Sequence, residues 1–209
     1  MTRRLYIAGA AGFGREVESC LDRIPEADRD WTIAGYLSDV PLALEGFPSD
    51  YSIVGTIEDH AFTPDDLVIV AIADPAGKRK VFETLRGRVP FFTFVSPDAI
   101  IGKFASIGAG TFIGPHVVLG PNVTLGEGVF LNTATLIGHD VSIGRFTSVM
   151  ANCNIAGYCR IGEGSYLGSS VTIIPKRVLC DGAFIGAGSL VISHVKERRT
   201  LIGNPAKYL

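Results

Sequence analysis

A histidine followed directly by an aspartate, His139 and Asp140, is the pair of side chains in this sequence best suited to chemistry. An imidazole exchanges a proton near neutral pH, and an adjoining carboxylate orients its ring and stabilises the imidazolium that forms. No nucleophilic side chain accompanies the pair, so it predicts a general base acting on a bound substrate. A solvated surface pair without a role is the alternative.

The element that positions this pair is a six-residue repeat. From Val95 to Val191 every sixth residue is aliphatic, and the next position is often glycine. One large inward side chain per six residues predicts a short strand and a tight corner, three of which close a triangular coil of about eighteen residues. The period therefore predicts a parallel β-helix with His139 at an outward corner, and function is sought in interruptions such as Asn132 at a glycine position.

The preceding part of the chain follows a different pattern. Apolar runs alternate with helical stretches, which predicts a small parallel α/β domain over residues 1–92, ahead of the β-helix over residues 93–209. Strands are expected at 4–8, 32–37 and 67–73, and helices at 15–24 and 75–85.

A glycine turn over residues 9–14 joins the first expected strand to the first helix. Its spacing, GxxGxG, differs from the dinucleotide-binding GxGxxG. The turn predicts either a phosphate site at a helix N-terminus or a purely structural connection. Asp39, at the end of the second expected strand, predicts a contact to a ribose or base edge, with a solvated cap as the alternative.

Composition and charge exclude several classes of binding partner. The 209 residues carry a net charge of -2 and a pI near 6.1, which leaves no basic footprint for nucleic acid or a membrane surface. The N-terminal apolar run stops at the glycine turn, so neither a signal peptide nor a spanning helix is expected, and the expected location is cytoplasmic. The cysteines and histidines lack metal-ligand spacing, so no metal is expected and the cysteines are interpreted as core residues.

The whole chain resembles the left-handed β-helix acyltransferases that acetylate bacterial surface sugars, including UDP-4-amino-sugar and GDP-perosamine N-acetyltransferases and sialic-acid O-acetyltransferases. The resemblance rests on four segments: Gly9-Ala-Ala-Gly-Phe-Gly-Arg-Glu-Val17, Ile72-Ala-Asp-Pro with Arg79, Leu131-Asn-Thr-Ala-Thr-Leu-Ile-Gly-His-Asp140, and Ile202-Gly-Asn-Pro-Ala-Lys207. It implies a left-handed coil and a homotrimer. It also implies that acetyl-CoA, the co-substrate, lies between neighbouring β-helices while the α/β domain helps to hold a nucleotide sugar.

The resemblance also implies residue roles. His139 becomes the catalytic base, Asp140 its orienting partner and Asn132 a polar residue beside the acceptor. Nucleotide-sugar contacts are expected at the glycine loop and at strand ends: Gly9, Ala10, Ala11, Gly12, Phe13, Gly14, Arg15, Ser38, Asp39, Ala73 and Asp74. Two positions depart from the family pattern, because Phe13 and Ser148 stand where many members carry histidine.

Acyl transfer from a thioester also needs a donor for the oxyanion that forms. A coil of about eighteen residues stacks Gly157 above His139, so the Gly157 N–H is the expected donor; a corner glycine needing positive φ is the alternative. The CoA arm is expected to continue along the same edge, and a polar cap over the solenoid end is the alternative for its last part. Its expected contacts are Ser148, Gly157, Ser169, Ala187, Gly203, Asn204, Pro205 and Lys207.

Together these expectations favour acetyl transfer from acetyl-CoA to the amino group of a nucleotide-linked 4-amino-4,6-dideoxy sugar. An O-acetyltransferase acting on sialic acid or another surface sugar, and a non-catalytic sugar-nucleotide-binding protein, are the alternatives. A His-Asp pair serves an amine and a hydroxyl alike, so the sequence does not separate the first two. The nucleotide base stays unassigned.

Overall fold

The computed structural model describes residues 2–209, which form two compact units. One comprises residues 2–73 and 77–93, and the other comprises residues 74–76 and 94–209. No helix among the described residues is long and apolar enough to cross a membrane.

The first unit contains a four-stranded parallel sheet with the strand order β3-β2-β1-β4. Its strands are β1 (Arg3–Ala8), β2 (Trp31–Leu37), β3 (Ile53–Gly55) and β4 (Asp66–Val70). Two helices, α1 (Gly12–Asp22) and α2 (Pro75–Leu85), and a short 3₁₀ turn (Glu26–Asp28) complete its elements. The parallel α/β arrangement expected from the sequence is confirmed. Strand β3 was not predicted, because three residues are too few to show a period.

The start of α1 differs from the sequence expectation for a steric reason. The helix begins at Gly12 rather than Arg15, so two glycines of the turn lie within it. A Cβ on Gly14 would lie 2.1 Å from the carbonyl oxygen of Gly9, and Gly9 itself has φ +113. The glycines therefore allow the first turn of α1 to pack directly on the end of β1.

The second unit is a parallel β-helix of two-residue strands, which form three faces. Face A comprises β5 (Phe94–Val95), β8 (Phe112–Ile113), β11 (Phe130–Leu131), β14 (Ser148–Val149), β17 (Tyr166–Leu167) and β20 (Phe184–Ile185). Face B comprises β6 (Ile100–Ile101), β9 (Val118–Leu119), β12 (Leu136–Ile137), β15 (Asn154–Ile155), β18 (Thr172–Ile173) and β21 (Leu190–Val191). Face C comprises β7 (Ser106–Ile107), β10 (Thr124–Leu125), β13 (Ser142–Ile143), β16 (Arg160–Ile161) and β19 (Val178–Leu179).

The register repeats every coil, as the hexad period predicts. Leu136 pairs with Asn154, for example, so that residues eighteen positions apart stack. From β8 to β21 the second residue of each strand is buried inside the coil, and these aliphatic side chains form one continuous core. Inward small residues close the corners: Thr135 donates to the carbonyl of Met150, and Cys153 donates to that of Gly168. Cys153 and Cys159 are buried free thiols of this core, as expected.

Three columns of corners separate the faces, and we name them by the faces they join. Corner AB follows face A, corner BC follows face B, and corner CA follows face C. In corner BC the residues Asn122, Asp140, Tyr158 and Lys176 stack in successive coils, each with φ near +60. The N–H of Asp140 donates to Pro121 O, and that of Tyr158 donates to His139 O. These bonds fix the height of each corner residue relative to the coil below.

The C-terminal segment extends face A. Strand β22 (Thr200–Gly203) pairs in parallel with β20, and β23 (Ala206–Tyr208) folds back antiparallel on β22. The last coil is thereby covered on this face, which protects an otherwise unpaired strand edge.

Candidate functional site

The His139 and Asp140 side chains interact at corner BC, directly after β12. The Nδ1 atom of His139 lies 2.8 Å from Oδ2 of Asp140. A carboxylate only accepts hydrogen bonds, so in the neutral imidazole Nδ1 carries the proton and Nε2 has the free lone pair. The His139 side chain is 52% exposed, so this lone pair is open to a substrate.

Asp140 is held from both sides. The Nδ2 atom of Asn122, in the coil below, donates to its Oδ1 atom at 3.0 Å. The hydrogen bonds from His139, and then Asn122, lower the pKa of the Asp140 carboxyl below its ordinary value. The carboxylate therefore stays charged where an imidazolium forms beside it.

Gly157 lies immediately above the imidazole. A Cβ added to it would meet Nε2 of His139 at 2.7 Å and Cε1 at 2.8 Å, so the ring rests against its α-carbon. Among the described residues the N–H of Gly157 meets no acceptor, whereas its carbonyl accepts from Lys176 N at 3.0 Å. An unpaired backbone donor thus lies beside the open nitrogen of His139.

The alternative interpretation of Gly157, a glycine required by positive φ, is wrong. Its φ is not positive, and the left-handed residue of that corner is Tyr158, with φ +63. The stacked position in the other coils of corner BC carries a side chain, in Lys103, Pro121, His139 and Pro175. What requires a glycine at 157 is the ring of His139 below it.

Tyr158 also contacts the histidine. The two ring centroids lie 4.9 Å apart with an interplanar angle of 89°, and the tyrosine is 53% exposed. Neither Asn122 nor Tyr158 was singled out from the sequence. Each lies one coil, eighteen residues, from Asp140, and this offset is the signal that could have identified both.

The expected path of CoA along the edge of His139 needs correction. Ser169 and Ala187 follow face A and stack at corner AB, whereas His139 and Gly157 follow face B at corner BC. Asn132 also lies at corner AB, where its Oδ1 accepts the N–H of Thr133 at 2.6 Å. Within one chain, therefore, Asn132 is not beside His139. Asn132 precedes His139 by seven residues, about one strand and one corner, so it lies at the previous corner.

Ser148 does not offer its hydroxyl to a bound thioester on this chain. It lies in β14, between Phe130 and Tyr166 in the face A ladder, and its residue exposure is 0%. The expectation of a Ser148 contact to CoA is therefore wrong, because an outward strand position on this face is buried.

The C-terminal residues continue corner AB upward. Gly186 N donates to Leu201 O, which places the β22 end above Ala187. Gly203 donates its N–H to Ser189 Oγ at 3.2 Å, while Asn204, Pro205 and Lys207 are exposed. Ser169, Ala187 and Gly203 thus form one continuous column. The segment also caps the coil, as the alternative interpretation states. Contact of its exposed residues with CoA stays a prediction.

A cleft of about 560 Å³ opens in the first unit at the carboxyl ends of β1, β2 and β4. Most of its lining is apolar. The lining residues are Gly9, Ala10, Ala11, Phe13, Ser38, Asp39, Val40, Ala43, Ile57, Ala71, Ile72 and Ala73. Seven of these were expected from the sequence; Val40, Ala43, Ile57, Ala71 and Ile72 were not. Apolar loop residues carry no chemical signature, so only the folded cleft identifies them.

The polar residues of the cleft brace its loops as well. Asp39 Oδ1 accepts the N–H of Ile57 at 3.0 Å, and Ser38 Oγ lies 3.1 Å from the N–H of Val40. Asp39 is exposed, so its second oxygen can reach a ligand. The remaining expected contacts, Gly12, Gly14, Arg15 and Asp74, do not line the cleft.

Arg15 has a structural contact instead. Its guanidinium stacks over the ring of Phe47, with Cζ 3.8 Å from the centroid. This cation–π contact holds the arginine against the loop that follows β2. Arg15 therefore does not line the cleft.

The described residues contain one group of carboxylates close enough to share a cation, Glu18, Asp22 and Asp50. Glu18 is already satisfied by protein donors, because the hydroxyl of Tyr36 and that of Ser49 both donate to its Oε2. Burial, and then the hydrogen bond that Tyr36 donates to Glu18, raise the pKa of the Tyr36 hydroxyl, so it stays a neutral donor. This cluster joins α1 to β2 and lies apart from the cleft.

Two protein families match the chain. Residues 95–201 match the GMPPB C-terminal domain family, and residues 4–85 match the PglD N-terminal domain family. A curated relative, serine acetyltransferase 2 of Arabidopsis thaliana, is 44% identical over 50 residues, which are 24% of this chain and 16% of that relative. The chain thus matches about a sixth of that protein's length.

Solved structures match over the full length. The acetyltransferase domain of PglB from Neisseria gonorrhoeae FA1090, in complex with acetyl coenzyme A, superposes with a TM-score of 0.89 at 25% identity, covering 100% of both chains. PerB from Caulobacter crescentus, in complex with CoA and GDP-perosamine, gives a TM-score of 0.88 at 22% identity, over 98% of this chain and 96% of that chain. The fold shared with these structures is the left-handed β-helix preceded by a small α/β domain.

Proposed function

Because this chain belongs to the hexapeptide-repeat family of sugar acetyltransferases, we propose that it transfers the acetyl group of acetyl-CoA to the amino group of a nucleotide-linked 4-amino-4,6-dideoxy sugar. One observation carries the proposal: a free imidazole nitrogen, held by a charged aspartate, lies beside an unpaired backbone N–H at an open corner.

His139 is the general base of the proposed reaction. As the sugar nitrogen attacks the thioester carbonyl, its proton passes to Nε2, while Nδ1 stays bonded to Asp140. The new C–N bond forms first, and the C–S bond then breaks with return of the electron pair from the oxyanion. The proton held on Nε2 is then available to the leaving thiolate, so the enzyme returns to its starting state.

Gly157 serves as the oxyanion donor. Its N–H is a fixed dipole that needs no reorganisation when charge develops on the carbonyl oxygen. The absent side chain lets the imidazole and this N–H lie side by side.

The arrangement of corners supports a homotrimer with shared sites. His139 and Gly157 lie at corner BC, whereas Ser169, Ala187 and Gly203 lie at corner AB of the same chain. A CoA arm that contacts both columns must therefore lie between corner BC of one protomer and corner AB of its neighbour. Closed rings of identical, head-to-tail contacts are the ordinary way to repeat such a groove. PerB, with CoA and GDP-perosamine bound, has the same fold.

The cleft of the first unit is the proposed nucleotide-sugar site. It combines a glycine turn at the start of α1, which favours a phosphate, with apolar walls and the Asp39 carboxylate. Phe13 and Val40 provide apolar surface for a base or a 6-deoxy methyl group. A volume of about 560 Å³ is in the usual range for sites of small ligands.

Thiol release from acetyl-CoA tests this proposal. The acceptors are UDP-, dTDP- and GDP-linked 4-amino sugars, each compared with its 4-hydroxy counterpart and with free sialic acid. We expect release with at least one amino sugar nucleotide, with the product mass increased by one acetyl group. If sialic acid or a hydroxyl sugar is acetylated in preference to every amino sugar, the chain is an O-acetyltransferase instead. Binding of a sugar nucleotide without any thiol release would contradict an enzymatic role.

A further inference from the structure

Tyr158 is the side chain that limits the freedom of His139 from the coil above. The tyrosine N–H donates to His139 O at 3.0 Å, which ties the two residues through the backbone. Its ring then contacts the imidazole, with the centroids 4.9 Å apart and the planes perpendicular. The imidazole is therefore bounded by Asp140 at Nδ1, by the Gly157 α-carbon near Nε2 and by the Tyr158 ring.

A tyrosine is an unfavourable choice for the backbone at this position. Its φ is +63, in the left-handed region that bulky side chains disfavour and that asparagine tolerates. Asparagine occupies the equivalent corner position at 122 and 152, with φ +61 at both. Aromatic residues do occur at equivalent corners, since Phe104 has φ +64 and Phe146 has φ +59. What distinguishes Tyr158 is its ring contact, which among the described residues is with His139.

We propose that Tyr158 is a positioning residue that holds the imidazole of His139 in the orientation required for proton transfer. The proposal rests on His139 being the base of the proposed acetyl transfer. Asp140 bonds one nitrogen but leaves the ring free to tilt about that bond; the perpendicular Tyr158 ring blocks the tilt. The aromatic ring carries this role, and the hydroxyl is not required for it.

Substitution at 158 has a matched control in the same column. Phe104 lies three coils below Tyr158 in corner BC, has φ +64 and is 84% exposed. Tyr158→Asn and Phe104→Asn both place the favoured residue in a left-handed corner, but only the first removes a ring from His139. We expect Tyr158→Asn to lower kcat about tenfold with little change in the KM for acetyl-CoA, because a misoriented base slows the chemical step. Tyr158→Phe and Phe104→Asn should stay within about twofold of the parent enzyme.

Combination with His139→Ala separates positioning from direct contact with substrate. If Tyr158 acts through the histidine, Tyr158→Asn should change the residual rate of His139→Ala less than about twofold. The proposal is overturned if the losses of the two single variants multiply in the double variant. It is also overturned if Tyr158→Phe loses as much activity as Tyr158→Asn. An unchanged kcat in Tyr158→Asn overturns it as well.

NMR of the His139 imidazole distinguishes a failure of the positioning proposal from a failure of the proposed function. The ring current of Tyr158 should displace the carbon-bound proton signals of His139, and Tyr158→Asn should move them while Phe104→Asn does not. If these signals do not move, the contact and the proposal both fail. If the signals move as expected but His139→Ala keeps full activity, His139 is not the base; the positioning role then fails because the proposed mechanism fails, although the contact exists.

Discussion

At the scale of single residues, the candidate site consists of one imidazole with three different neighbours. Asp140 bonds Nδ1, Gly157 leaves space and an N–H beside Nε2, and Tyr158 lies against the ring. Every one of these neighbours comes from the same coil or the next one. The site therefore depends on the register between coils as much as on the histidine itself.

Replacement of His139 by alanine removes proton transfer while leaving the coil unchanged. We expect turnover to fall by roughly 10² to 10⁴ with unchanged CoA affinity, because a general base contributes about this factor. Asp140→Asn should lose less, since the imidazole keeps a hydrogen-bond partner but loses the charge that stabilises its protonated form. Steady-state kinetics with calorimetric titration of CoA measures both effects. Full activity in His139→Ala would contradict the mechanism.

Gly157→Ala tests the steric relation between the two coils. The added methyl carbon would lie 2.7 Å from His139 Nε2, so the imidazole must rotate away from Asp140. We expect a loss of kcat of about tenfold or more from this misplacement. Thermal unfolding should change little, because alanine stands at the same position of the hexad at the other two corners, at 109, 151 and 187. Wild-type kcat in a folded Gly157→Ala variant would exclude the predicted contact.

At the scale of elements, the junction of β1 and α1 determines the shape of the cleft. Gly14 is buried, and a Cβ there would lie 2.1 Å from Gly9 O. The cleft wall at residues 9–11 and 13 is thus set by how closely the helix approaches the strand.

Gly14→Ala should therefore push α1 from β1, destabilising the first unit by about 1 to 3 kcal/mol as other overpacked sites do. The KM for the acceptor should rise while the KM for acetyl-CoA, which is proposed to bind the β-helix, stays unchanged. Gly12→Ala is the control, because its Cβ would meet Arg15 Nη2 at 3.9 Å and nothing closer. Denaturant unfolding and kinetics with both substrates measure the difference. Equal effects of the two substitutions would disprove this account.

At the scale of the whole molecule, the separation of corners AB and BC is the basis for the proposed homotrimer, in which each active site would lie between two protomers. One protomer offers His139 and Gly157 at one corner and the Ser169, Ala187 and Gly203 column at another. Neither corner alone surrounds a pantetheine arm.

Mixed trimers test this sharing of sites. His139→Ala inactivates corner BC, and Ala187→Arg is designed to block corner AB; each variant alone should be inactive. The two variants are unfolded together in equal amounts and refolded into mixed trimers. About a quarter of wild-type activity should return, because one groove in four then joins an intact corner BC from Ala187→Arg to an intact corner AB from His139→Ala. Light scattering should show trimers throughout. A fully active monomer, or mixed trimers without any activity, would contradict the shared site.

Much of this protein could be predicted from periodicity and spacing. The six-residue period alone determined the parallel β-helix, because one inward aliphatic per strand can be buried only if strands stack coil on coil. The same period placed Gly157 above His139, since register in a solenoid is simple arithmetic. The adjacency of His139 and Asp140 in sequence sufficed to predict their hydrogen bond.

Other features were decided only by the tertiary structure. The separation of Asn132 and Ser169 from His139 is not among them, because offsets of 7 and 30 residues are not whole coils of eighteen. The hexad period does not predict that Ser148, at the outward position of its strand, is buried. The apolar cleft wall is assembled from loops distant in sequence, and the contact of Tyr158 with His139 depends on side-chain direction at a left-handed corner. Periodic order is local and therefore readable from the chain, whereas these contacts arise only when separate segments meet in space.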